Sequence, residues 1–349
     1  MNLKRIPQTI DPHVHFRVPG LEYKEDWDAG TLAAVAGGYT TVLEMPNTKP
    51  PTLSEELLEQ KRRIASKSAH CNFGLIFGSS VDNLAEIKKV IGKVVAVKVF
   101  FNLSTGNLKI DDEKKLKKIF LATPLVIAHA EGEQLEKAIW LTRQAGNNLY
   151  VAHVPGIEEI ELIKKAKADL NIFAEVTPHH LFLDKPQSVD PTRLMMPALR
   201  NKKHQEALWQ AVLDGTIDTL GTDHAPHTAE DKQQLPPPFG VPGLETALPL
   251  MLNAVNERRL SFEKLIELAS INPAKIFKIN TSKDNYTEVD FDLQKQVDNA
   301  NLFTKCGWSP WHGQTLKGWP TKTVINGVTV FEQGQIVNNH QGQEITYGH

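Results

Sequence analysis

Short apolar or β-branched runs alternate along the chain with longer stretches whose apolar residues recur every three or four positions. We expect a strand in each of eight such runs, at residues 8–16, 40–46, 71–78, 94–101, 124–130, 148–154, 172–180 and 217–225. The stretches between and after them predict amphipathic helices, among them 24–37, 54–69, 133–145, 157–169, 201–214, 243–256 and 261–270. A strand and a helix that repeat every 25–30 residues or so predict a (β/α)₈ barrel, here over residues 8–275.

An open, doubly wound parallel sheet would produce the same alternation. The chain lacks the glycine-rich phosphate fingerprint that is typical of that fold, so the closed barrel is the simpler interpretation. After Asn272 the composition shifts to β-branched residues and turn signals, and Asn326-Gly327 predicts a hairpin. We expect residues 1–7 and 276–349 to form a small β-rich appendage, built mainly from the C-terminal segment.

Composition excludes several classes of function. The 349 residues carry 39 Lys and Arg against 41 Asp and Glu, so no overall basic field exists to hold nucleic acid or an anionic membrane. No apolar stretch reaches the roughly 18 residues of a membrane span, and the N-terminus lacks the apolar region of an export signal. Cys71 and Cys306 lie far apart, which argues against a disulfide framework and fits the cytoplasm. We therefore expect a small-molecule substrate or a protein partner.

Metal-binding side chains end four of the eight predicted strands. His13 and His15 end the first strand, and residues two apart on a strand point to the same side. His129, His153 and Asp223 end the fifth, sixth and eighth strands. Each of these residues alone could be a hydrogen-bonded core residue. Because catalytic groups of such barrels lie at the carboxyl ends of the strands, their convergence there predicts a metal site.

Lys98 is out of place in the apolar fourth strand, VVAVKVFF. A bare ammonium buried there is costly, so the side chain must be paired, deprotonated or modified. One interpretation is a salt bridge to a nearby carboxylate. The other is a carbamate, formed when CO₂ adds to the neutral amine, whose two oxygens can bridge two cations.

Several motifs together resemble dihydroorotase, a family of the cyclic-amidohydrolase superfamily. They are DPHVHFRVPG, EMPNTKPP, AHAEG, AHV, EVTPHHLFL, GTDHAPHTAEDK and PGLETALPL. The resemblance runs over nearly the whole chain, and it extends to the tail NLFTKCGWSPWHGQTLKG in the form that is a domain of the animal multifunctional pyrimidine-synthesis protein. It implies a (β/α)₈ barrel with two zinc ions, which agrees with the strand-end argument.

The resemblance also implies roles for the strand-end residues. His13, His15 and Asp223 would hold one zinc, His129 and His153 the other, and carboxylated Lys98 would bridge them. A hydroxide between the metals would open the ring, with its pKa lowered by both cations. Asp223 would take the hydroxide proton and pass it to the leaving ring nitrogen. In the biosynthetic direction it would deprotonate the carbamoyl nitrogen.

Substrate recognition is expected at the anionic end of the molecule. Arg17 lies two residues beyond His15 and offers a bidentate fork for a carboxylate, although a surface salt bridge would explain it equally well in isolation. Asn47 and His227 resemble the family's other carboxylate contacts.

Three further substrate contacts are expected in loops. Thr105, or Ser104 beside it, lies in the loop after the fourth strand, which resembles a mobile loop that closes over substrate. Met196 and Pro238 would contribute main-chain contacts. The family further suggests a homodimer and association with aspartate transcarbamoylase.

Two rival functions stay open at this point. Another cyclic-amide hydrolase, of the allantoinase or hydantoinase type, would use the same metals. A catalytically silent relative would only scaffold aspartate transcarbamoylase, but such proteins usually lack metal ligands, and here every ligand position is filled. Reversible cyclisation of N-carbamoyl-L-aspartate to L-dihydroorotate, in pyrimidine synthesis, is the leading hypothesis.

Overall fold

The computed structural model of the protein describes residues 2–103, 108–188 and 190–346. The strands in these ranges are β1 (Leu3–Pro7), β2 (Ile10–Val14), β3 (Thr41–Glu44), β4 (Asn72–Leu75), β5 (Phe77–Gly78), β6 (Val97–Phe100), β7 (Leu125–His129), β8 (Asn148–Val151), β9 (Ile172–Val176), β10 (Thr219–Leu220), β11 (Tyr286–Gln296), β12 (Thr315–Ile325), β13 (Val328–Glu332) and β14 (Gln335–Ile336).

The helices alternate with the strands of the first three quarters of the chain. They are α1 (Trp27–Ala36), α2 (Glu55–Ser68), α3 (Leu84–Val90), α4 (Glu113–Ala122), α5 (Glu133–Ala145), α6 (Ile157–Ala166), α7 (Pro178–Phe182), α8 (Lys202–Leu213), α9 (Ala229–Lys232), α10 (Leu244–Asn256), α11 (Phe262–Ile266) and α12 (Asn272–Ile276). None of the helices in the described ranges is both long and apolar enough to cross a membrane.

Strands β2 to β10 form a closed parallel barrel. Strands β2, β3 and β4 pair in order, as do β5 to β10, and β4 and β5 are two halves of one strand that meet at Ile76. The barrel closes where Val14 bridges His224 and the His15 amide donates to the His224 carbonyl at 2.9 Å. The (β/α)₈ barrel is therefore confirmed, and the open-sheet alternative is wrong.

One predicted strand is too long, because a helix begins inside it. The run at residues 172–180 leaves the sheet after Val176, where Thr177 caps α7 by accepting a hydrogen bond from the His180 amide. Pro178 occupies the first turn, where its missing N–H costs nothing and its fixed φ suits a helix. His179 and His180 are therefore buried helical residues rather than the end of a strand.

The C-terminal segment forms an antiparallel sheet in the order β1-β11-β12-β13-β14. The predicted hairpin is confirmed: Ile325 pairs with Val328, and Asn326 and Gly327 between them have φ values of 52° and 82°, as a tight turn requires. The sheet docks on the barrel through Thr323, whose hydroxyl donates to the Val35 carbonyl of α1 at 2.7 Å. The division of the chain at residues 8 and 275 stays a prediction.

Candidate active site

One cavity at the carboxyl end of the barrel strands gathers most of the residues predicted from the sequence. The predicted residues that line it are His13, His15, Arg17, Asn47, Lys98, Met196, His129, His153 and Asp223. Phe239 and Gly240 line it in place of the predicted Pro238, whose carbonyl instead accepts a hydrogen bond from Lys232 at 2.9 Å. Thr105 lies outside the described residues.

His13, His15 and Asp223 form a buried group with the composition of a zinc site. Their nearest ligand atoms all lie within 4.8 Å of one another, and Asp223 Oδ1 is 3.3 Å from His13 Nε2 and 3.1 Å from His15 Nε2. Burial alone would raise the pKa of Asp223, but the neighbouring imidazoles hold it well below its ordinary value. Burial lowers the pKa of His15 to about 3. An ionised carboxylate beside a neutral imidazole is the state in which both bind metal.

His129 and His153 form a second pair of nitrogen ligands. His129 Nδ1 and His153 Nε2 lie 2.8 Å apart in the cavity wall. Burial lowers the pKa of His129 to about 3 and that of His153 well below its ordinary value, so both rings are neutral. Two neutral imidazole nitrogens this close together suit a second metal ion.

Lys98 has no ion-pair partner among the residues that the structure describes. Its side chain is only 1% exposed, and Nζ has no hydrogen-bond partner and no carboxylate within 4.0 Å among the described residues, although the Phe100 ring lies 5.7 Å away. Burial lowers the pKa of the amine to about 8, despite the charges of Glu175 and Asp223. The salt-bridge interpretation of Lys98 is therefore wrong, and a buried, partly neutral amine lies in the wall of the metal-binding cavity.

Glu175 at the end of β9 is the functional residue that sequence reasoning missed. Its Oε1 lies 2.8 Å from His13 Nδ1 and accepts from the His153 amide at 2.9 Å, and Oε2 accepts from the Tyr150 hydroxyl at 2.8 Å. The carboxylate fixes the His13 proton on Nδ1 and leaves Nε2 free to bind metal. The EVTPHH motif contains Glu175, but nothing in its local spacing indicates a partner 162 positions away.

The backbone is held in an unusual conformation at the site. Arg17, His153 and Asp223 have positive φ values of 66°, 40° and 45°, a region that side chains with a Cβ adopt at some cost. Asp11 at the start of β2 stabilises this corner, because its carboxylate accepts from the Thr222 amide at 3.0 Å and from the His13 amide at 3.1 Å. The first and last barrel strands thus fix the metal-binding group between them.

Arg17 is a buried residue rather than a surface one. Its side chain is 3% exposed, and Nε donates to the Pro226 carbonyl at 3.1 Å. In the part of the chain that the structure describes, its guanidinium forms no ion pair, although the charges of Glu44, Asp223 and Glu25 act on it from farther away. The surface salt-bridge interpretation is therefore wrong. His227 is not in the cavity wall but lies behind Arg17, with Nε2 3.2 Å from Arg17 Nη2.

Comparisons with known proteins agree on one family. The model of the amidohydrolase family matches residues 6–330. The multifunctional protein pyr1-3 of Dictyostelium discoideum is 35% identical over 95% of this chain, which spans only 15% of that protein's length. A dihydroorotase of Bacillus cytotoxicus is 33% identical over 94% of this chain and 87% of its own. The solved L-hydantoinase (dihydropyrimidinase) of Arthrobacter aurescens has a TM-score of 0.93 and 28% identity, covering 98% of this chain and 88% of that one.

Proposed function

The chain belongs to the amidohydrolase family, and from this premise we propose that it is a dihydroorotase, which interconverts N-carbamoyl-L-aspartate and L-dihydroorotate. One observation carries the choice of substrate: the buried guanidinium of Arg17 forms no ion pair with a described residue and lines the same cavity as the metal-binding group. A cyclic amide that bears a carboxylate matches both features. Its ring amide would lie at the metal-binding group, and its carboxylate would bind Arg17.

The residues of the cavity fit two zinc ions. His13, His15 and Asp223 would hold one, His129 and His153 the other, and Lys98 as a carbamate would bridge them. The unpartnered Lys98 nitrogen supports the last assignment, because a carbamate and two cations would give it the partners that it lacks. When bound, the two ions would acidify water and polarise the scissile carbonyl.

Asp223 is the proton carrier of the proposed reaction. Its low pKa keeps the carboxylate ionised at neutral pH, so that it can accept a proton from the attacking water. It then delivers this proton to the ring nitrogen that leaves. In the biosynthetic direction the same oxygen takes the proton of the carbamoyl nitrogen, which attacks the β-carboxyl group. Arg17 orients the substrate at its other end and takes no part in proton transfer.

The proposed function is tested by assay of the zinc-loaded protein in both directions. We expect ring opening of L-dihydroorotate and cyclisation of N-carbamoyl-L-aspartate, and we expect a chelator to abolish both activities until zinc is restored. Hydantoin and allantoin serve as rival substrates. Preferential opening of either rival ring would be consistent with the metal site but would contradict L-dihydroorotate as the substrate.

The hydrogen bonds of Glu175 lead to a prediction about metal affinity. Glu175→Gln replaces the charged acceptor of His13 Nδ1, and we expect zinc affinity to fall about 10- to 100-fold, as is usual for the partner of a metal-binding histidine. Competition with a chelating indicator measures this directly. Tyr150→Phe is the matched control, since it removes a hydrogen bond to the same carboxylate without touching His13. Equal zinc affinity in Glu175→Gln and the parent would contradict the role of Glu175.

A hydantoinase is the second candidate, favoured by the close similarity of this fold to that of the L-hydantoinase. A substrate without a carboxylate would offer Arg17 no partner, so a hydantoinase activity does not explain why this guanidinium is buried. A silent scaffold is disfavoured by the filled metal-binding positions. A homodimer, association with aspartate transcarbamoylase and a cytoplasmic location stay predictions.

A further inference from the structure

Lys24, in the loop before α1, is a buried lysine that the proposed mechanism does not use. Only 9% of the residue is exposed to solvent. Nζ lies 2.9 Å from His227 Nδ1 and 3.1 Å from Asp231 Oδ2. Asp231 is itself fixed, because it forms a reciprocal capping box with Thr228 at the start of α9. Lys24 is therefore held in place against the imidazole of His227.

These contacts determine which nitrogen of His227 carries the proton. An ammonium can only donate, so His227 Nδ1 must accept from Lys24. Asp231 Oδ2, at 3.9 Å, is too far from Nδ1 to accept a hydrogen bond from it. The proton therefore lies on Nε2, which donates to the Phe239 carbonyl at 2.9 Å.

This tautomer leaves two donors side by side, Arg17 in the cavity wall and His227 behind it. His227 Nε2 is 3.2 Å from Arg17 Nη2, and neither nitrogen can accept from the other. Arg17, Lys24 and Lys232 all act on His227 with their positive charge, and Asp231 is in contact with Lys24. An oxygen of an anion could accept from Arg17 and, in place of the Phe239 carbonyl, from His227 Nε2.

We propose that Lys24 is a positioning residue for the carboxylate of the substrate: it holds His227 as an Nε2–H donor beside Arg17 and so selects rings that bear a carboxylate. This inference rests on the proposed function and extends it to a residue outside the cavity wall. Lys24 acts through His227 and does not contact the reacting atoms. Its effect therefore belongs to substrate binding rather than to the chemical step.

The test is the kinetics of Lys24→Met, which keeps the apolar stem and removes the donor. We expect KM for L-dihydroorotate to rise about 10- to 100-fold, the effect of losing a charge-assisted hydrogen bond, while kcat and bound zinc change little. Lys305→Met is the matched control, because Lys305 pairs with Asp26, two residues along the chain from Lys24, at 2.6 Å. The control should retain the KM of the parent.

The outcomes separate this inference from the proposed function. If the parent opens L-dihydroorotate and Lys24→Met keeps its KM, the function stands and the role of Lys24 is wrong. If the parent does not open L-dihydroorotate, the function fails and the inference fails with it. Should Lys24→Met not fold, the ¹⁵N NMR spectrum of the histidines in the parent decides: a proton on His227 Nε2 supports the inference, and one on Nδ1 overturns it.

Discussion

Asp223→Asn is expected to lower kcat for both directions of the reaction by about 10²- to 10⁴-fold, the usual contribution of a general acid–base residue. The amide has nearly the shape of the carboxylate and retains an oxygen that can bind metal, but it cannot accept and return a proton. The effect should therefore appear in kcat more than in KM. Steady-state kinetics, with the zinc content of each preparation measured alongside, test this expectation.

A matched control separates this loss from a general effect of removing a negative charge. Asp169 is half-exposed and pairs with Arg143 on the surface, so Asp169→Asn should leave kcat unchanged. A zinc-loaded Asp223→Asn variant that retains a tenth or more of the parental kcat would contradict the assignment of Asp223 as the proton carrier.

Lys98→Met is expected to reduce bound zinc below two ions per chain and to lower kcat at least about 10²-fold, since Lewis-acid catalysis by a metal is worth several kcal/mol. Methionine fills the volume of the lysine stem, and no hydrogen bond of the Lys98 amine is lost among the described residues. We therefore expect the melting temperature of the metal-free variant to stay close to that of the metal-free parent, since bound zinc would itself stabilise the folded state. Zinc analysis and thermal unfolding of the same samples measure both effects.

The pH dependence of zinc loading gives a second test of Lys98. CO₂ adds only to the neutral amine, and burial lowers the pKa of Lys98 to about 8, so the reactive fraction rises as the pH rises through this value. Reconstitution of the metal-free protein with zinc and bicarbonate should therefore be more complete at pH 9 than at pH 7. Crystal density that shows an unmodified amine at full zinc occupancy would contradict the carbamate.

Much of the site could be predicted from the sequence, because the carboxyl ends of all strands of a parallel barrel lie at the same rim. A residue that ends a strand in the sequence is therefore placed at that rim. His13 and His15 follow from the two-residue period of a strand, and His129 and His153 from their place at strand ends. Lys98 was evident from the cost of a charge in an apolar run. These signals are local in sequence, so they do not depend on knowing which segments meet.

The parts that could not be predicted depend on contacts between distant segments. Glu175 binds His13 across 162 positions, and Lys24 binds His227 across 203. The placement of His227 behind Arg17, instead of in the cavity wall, depends on how the loop at Phe239 packs. Helix α7 was missed because the apolar pattern of β9 continues into it, and the cap formed by Thr177 outweighed that pattern.

The most direct measurement compares two rings that differ only in the carboxylate. The zinc-loaded protein is assayed for ring opening of L-dihydroorotate and of 5,6-dihydrouracil, and the two kcat/KM values are compared. Because buried polar groups built to bind a substrate group are left unpaired by an analogue that lacks it, we expect L-dihydroorotate to be preferred by about 10²-fold or more. A kcat/KM for 5,6-dihydrouracil equal to or above that for L-dihydroorotate would contradict the proposed function.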